Sequence, residues 1–174
     1  MYIPPRKALP LAAWNRKYGT SVEALISYYD ALSEHIHLVN QYGGKLGVSM
    51  AQLAVHDKSK WSRHEFPYYA DRFHGTKVHN NLFISAMNHH YSHNMHHPEY
   101  WITQDGKPYP MPREYVIEMI ADWQAASYQY TGSDNIQKWL DEKLNRNRFH
   151  PVSLDILDKE LKDIGYDLYP QKIS

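Results

Sequence analysis

The sequence predicts an all-α fold, a bundle of six or seven helices, on three observations. Apolar residues recur at helical spacing in segment after segment. Start and stop residues bracket those segments, and no stretch shows the alternation of a half-buried strand. An apolar share of 43% can fill a core, and 174 residues fit a single domain spanning 1–174.

Residues 1–19, with Pro4 beside Pro5, read as an extended arm packed by Trp14. Thr20-Ser21-Val22-Glu23 is a capping-box pattern, and Val22, Leu25, Tyr29, Leu32, Ile36 and Val39 follow on one helical face. Gly43-Gly44 marks the expected end of that helix. Ser49 can cap a second helix with Met50, Leu53, Ala54 and Asp57 on one side. Ser62-Arg63-His64-Glu65 is another capping-box pattern, leading into an aromatic segment from Phe66 to Phe73 that Gly75 closes. A long helix is expected over Asn80 to Asn94, with Leu82, Phe83, Ala86 and Met87 inward and Pro98 as its stop. Residues 98–112 hold four prolines and an Asp105-Gly106 turn, which predicts a Pro-rich loop or short hairpin. Pro112 suits the first turn of a helix striped by Val116, Met119, Ile120 and Trp123. Helices near 134–146 and 154–164 complete the count, the last capped by Ser153 and stopped by Gly165.

Charge narrows the function classes. Lys+Arg and Asp+Glu are both 19, so the chain lacks the basic excess of a general nucleic-acid binder. No apolar run approaches the ~20 residues that cross a bilayer, and the opening MYIPPRKALP has no signal-peptide core. The absence of cysteine removes disulfides, thiolate zinc sites and cysteine nucleophiles. The expectation is a cytoplasmic protein.

Histidine carries the chemistry. Twelve are present, with a rich stretch from His79 to His97 that packs five between His89 and His97. Neutral imidazole is a good ligand for transition metals. His56-Asp57 is an adjacent nitrogen and oxygen donor pair. Neighbours on a helix diverge by about 100°, so the two can share an ion only where the backbone turns at a helix end. His35 sits at the margin of the first apolar stripe, and Asp122 lies beside the inward face of a later helix, where a buried carboxylate needs a partner or a metal. His90, Asn94 and His97 would share one face of the histidine-rich helix, below Phe83 and Ala86. His89, His93 and His96 would fall on an adjacent, more exposed face.

The order His35, His56-Asp57, Asp122 resembles the signature of the HD superfamily of metal-dependent phosphohydrolases. More narrowly, HDKSKWSRHEF, Ala86 to His90, NMHHPEYW and EMIADW resemble a family of small bacterial and viral proteins of no assigned function, over about Ser33 to Trp123. The resemblance implies an HD-like helical bundle in which one metal is held by His35, His56, Asp57 and Asp122. Asp57 would bridge to a second, completed by His90 and by His97, with His96 the competing candidate. The cofactor implied is one or two divalent transition-metal ions: iron, manganese, cobalt or zinc. Asp57 and Lys60 would be catalytic, Lys60 matching the lysine of the HD-x-x-K pattern, although Ser59 stands where the common motif has glycine. Lys60, Arg63 and Asn94 would contact a small anionic substrate, with nucleotides among the candidates and Tyr68, Tyr69 and Trp101 available to stack a base. Hydrolysis of a phosphate ester or anhydride is the leading activity. The alternatives are a di-iron oxygenase of the same superfamily acting on a polar or phosphonate substrate, and a non-catalytic metal-stabilised binding module.

Overall fold

In the computed structural model, described over residues 1–77 and 80–169, the fold is all-α. His79, at the head of the histidine-rich stretch, lies outside the described residues. Eight α-helices are described: α1 (Leu11–Tyr18), α2 (Val22–Leu46), α3 (Met50–Leu53), α4 (Phe66–His74), α5 (Asn80–His93), α6 (Arg113–Thr131), α7 (Gln137–Glu142) and α8 (Pro151–Asp163). The expected bundle of six or seven helices gains α1, which falls in the segment read as an extended arm. None of the described helices is long and apolar enough to cross a membrane.

The chain forms two compact units, each assembled from separate stretches. The first is Met1–His37 with Ala54–Asn94; the second is Leu38–Leu53 with the chain from Met95 onward. The core of the first gathers Trp14, Leu25, Leu32, Ile36, Trp61 and Phe66, all under 10% exposed. Trp14 packs tilted against Phe66 with ring centroids 5.1 Å apart. That anchoring was legible, but residues 11–18 are helix rather than extended arm, ended by Gly19 in the left-handed conformation at φ 73°. In the second unit, Leu38, Val39, Leu53, Ile117 and Ala121 form one cluster, and Met119, Ile120, Leu140, Leu157 and Leu161 belong to another.

Several boundaries depart from the sequence signals for local reasons. α2 runs through Gly43-Gly44 to Leu46, and the left-handed turn falls at Gly47, φ 83°. Gly43 is a packing residue: a Cβ there would stand 2.7 Å from the Leu53 side chain. Ser21 caps α2, its Oγ accepting from Ala24 N, while Thr20 Oγ1 donates to the buried Pro67 carbonyl. Ser49 does cap α3, but that helix stops at Leu53, so Asp57 is not on its face. α8 starts at Pro151 with His150 as its cap, because the Ser153 hydroxyl is engaged by Met111 N at 2.7 Å. The helix expected near 134–146 shrinks to α7 and a 3-10 turn at Arg146–Arg148. Leu82, expected inward on α5, is 45% exposed. Residues 98–112 hold a 3-10 turn, Pro98–Trp101, and an isolated antiparallel bridge between Ile102 and Pro108.

Candidate metal centre

The centre of the first unit is built on a backbone irregularity. After α3 the chain turns through residues 54–57, and Asp57 takes the left-handed conformation, φ 55° and ψ 16°. Asp and Asn reach that region more readily than other side chains bearing a Cβ. A 3-10 turn, Lys58–Trp61, follows and is pinned by Trp61, which is 6% exposed and stacks on Phe66. The turn aims His56 and Asp57 at one place, as an adjacent donor pair requires: His56 Nε2 lies 3.6 Å from Asp57 Oδ2.

Three more residues meet the same carboxylate. His35, from α2, places Nε2 3.6 Å from Asp57 Oδ2. Lys60 Nζ is 2.6 Å from that oxygen. His90, from α5, places Nε2 3.4 Å from the other oxygen, Oδ1. The Asp57 side chain is fully buried, His56 and His90 nearly so, and His35 is 10% exposed at its side chain. The histidine separations exceed the 2.7–3.2 Å of a good hydrogen bond. Two donors each about 2.1 Å from one ion, at tetrahedral angles, stand ~3.4 Å apart. The spacing is that of ligands around an ion, and donor atoms of His35, His56 and Asp57 all lie within 4.8 Å of one another. These buried groups can hold a metal ion.

His90 is held from behind. Its Nδ1 lies 3.0 Å from Glu65 Oε2, with Asn94 Nδ2 at 3.0 Å and Ser59 Oγ at 3.3 Å. Asn94 Nδ2 donates to Ser59 Oγ and to the His90 carbonyl, which leaves Nδ1–H of His90 to donate to Glu65. A histidine whose Nδ1–H is tied to a carboxylate presents the Nε2 lone pair, the usual support for a ligating imidazole. Burial pushes the Glu65 carboxyl above the usual carboxylate range, against the opposing pull of its hydrogen bond to His89. Burial likewise raises the phenols of Tyr28 and Tyr69, so both stay neutral near Lys60.

The expected site residues therefore fall as follows. His35, His56, Asp57, Lys60, His90 and Asn94 come together in the first unit. Arg63 is exposed in the same unit, its Nε donating to His64 Nε2. His97 and Asp122 are half-buried residues of the second unit. His97 does not stand two turns below His90 on one helical face, because α5 ends at His93 and His97 is extended at φ −94°, ψ 133°. His96 is the more buried of the adjacent pair, at 2% exposed, with Nδ1 3.3 Å from Glu118 Oε1.

Sequence reasoning missed Glu65 and Glu118. Glu65 was absorbed into a capping-box pattern, yet its side chain serves His89 and His90 and the box does not form. Glu118 is 3% exposed, deeper than Asp122 one turn later. The available signal was its helical phase with Ala121 and Ala125, three and seven residues on, both buried.

Fold and centre together define an all-α protein with a buried histidine–carboxylate group suited to a metal. The chain belongs to a family of unknown function, DUF5662, whose model matches residues 25–163. No curated protein and no solved structure matches it.

Proposed function

We propose that the protein is a metal-dependent phosphohydrolase of the HD type, acting on a nucleotide or another small phosphate ester. One observation carries the proposal: the two oxygens of Asp57 are divided, Oδ2 toward His35 and His56, Oδ1 toward His90, each at ligand spacing. A carboxylate shared this way suits two ions. Ions bound there would lower the pKa of bound water toward ~7 and clamp the attacking and leaving oxygens of a phosphoryl group.

The chain's own residues do the rest. Asp57 supplies negative charge to both sides of the centre, and Glu65 fixes the tautomer of His90. Lys60, 16% exposed at its side chain, adds the positive charge that favours an anionic substrate. The ligand roles of His97 and Asp122 rest on the HD resemblance, and their alanine variants should each lower metal content.

The test is phosphate release from a panel of nucleotides and phosphomonoesters, using protein purified without chelator and supplied with manganese, cobalt, iron or zinc. Metal-dependent release, abolished by chelator and by Asp57→Ala, is expected. Oxygen uptake in place of phosphate release would overturn the hydrolytic reading in favour of oxidative chemistry.

A further inference from the structure

The histidine-rich helix carries a second set of rings that the Asp57 centre does not use. His89 and His93 stand one turn apart on α5, with ring centroids 4.0 Å apart and planes 18° from parallel. Each has its Nδ1 engaged from behind. His89 Nδ1 lies 2.6 Å from Glu65 Oε1, and His93 Nδ1 lies 2.7 Å from the His89 carbonyl. Carboxylate and carbonyl are the two partners that set ligating histidines in the tautomer with a lone pair on Nε2. Both rings therefore present Nε2 as the donor, at the i, i+4 spacing from which two histidines can grip one ion on a single helix. Because the rings lie nearly parallel, a turn of one ring out of the stack brings the two lone pairs onto the ion.

We propose that His89 and His93 form a second, solvent-open site for a divalent transition-metal ion of the imidazole-preferring class, such as zinc, nickel or copper. His93 is exposed and His89 half-buried, so water can complete the coordination sphere and the ion can exchange freely. The His64 ring, stacked at 5.3 Å on His89, is a third imidazole beside the pair, although its Nε2 accepts from Arg63 Nε. Glu65 backs both sites, with Oε1 on His89 and Oε2 on His90. The exposed pair thus forms a capture site adjoining a ligand of the buried centre. Its existence does not depend on the phosphohydrolase reading.

The experiment is a zinc titration of the full chain, followed by long-range proton–nitrogen NMR of the histidine rings. Zinc should move the Nε2 resonances of His89 and His93 together, and His93→Ala should weaken this phase at least tenfold. His93→Gln, which keeps side-chain bulk and helix propensity, should do the same. His35→Ala, which disturbs only the Asp57 centre, should leave the phase intact, so failure of one site is read separately from failure of the other. An unchanged zinc isotherm in His93→Ala and His93→Gln, or ligation through Nδ1, would overturn the proposal.

Discussion

Two buried acids in this chain are satisfied in different ways. Asp57, in the first unit, has three imidazole nitrogens at 3.4–3.6 Å and one ammonium at 2.6 Å. Glu118, in the second, accepts an amide hydrogen bond from Gln52 Nε2 at 2.5 Å and faces His96 at 3.3 Å. A neutral amide at hydrogen-bond distance satisfies one oxygen of a buried carboxylate without adding a counter-charge. Around the fully buried Asp57 the Lys60 ammonium supplies a counter-charge, while the three imidazoles stand at ligand spacing rather than at hydrogen-bond distance. The comparison sets an acid ringed by imidazoles and an ammonium beside one that divides its two oxygens between an amide and an imidazole.

The largest effect should come from Asp57. Asp57→Ala should remove most bound metal and cost about 3–5 kcal/mol of stability, because the Lys60 ammonium loses its buried partner. Asp57→Asn keeps the shape and isolates the charge, and full metal occupancy in that variant would break the comparison. Metal analysis and thermal melting read both. Glu65→Gln comes next. It should weaken metal affinity about 10–100-fold with a smaller loss of stability, as for other partners that orient a ligating histidine. Lys60→Ala should leave metal content near wild type and weaken an anionic inhibitor about 10–100-fold, the loss expected for one charged hydrogen bond. If metal were lost with Lys60, the lysine would be a structural partner of Asp57. The smallest effect belongs to the second unit. Gln52→Ala should cost about 1 kcal/mol by weakening the support of Glu118, with a smaller change in metal content than Glu65→Gln.

How much of this was legible depended on whether the signal was local. His56-Asp57 was readable because adjacent donors need a backbone turn, and the chain supplies one at Asp57, φ 55°. His35 and His90 were readable from their places beside apolar stripes. Glu65 was hidden because a local pattern, Ser62 to Glu65, already explained it, whereas its real partners come from α5, 24 and 25 residues along the chain. Gly43-Gly44 looked like a stop because nothing local shows that Leu53 packs on Gly43. The phase linking His90 to His97 failed for a related reason. Asn94 caps the end of α5 through the His90 carbonyl, and the chain beyond no longer follows helical period.

The most direct measurement is anomalous diffraction at a transition-metal edge, on crystals of the protein purified without chelator. If Asp57 is the hub of a metal centre, a peak should lie about 2.0–2.2 Å from His35 Nε2, His56 Nε2 and an oxygen of Asp57. Metal-saturated crystals with no peak there, and Lys60 Nζ still paired with Asp57, would contradict it.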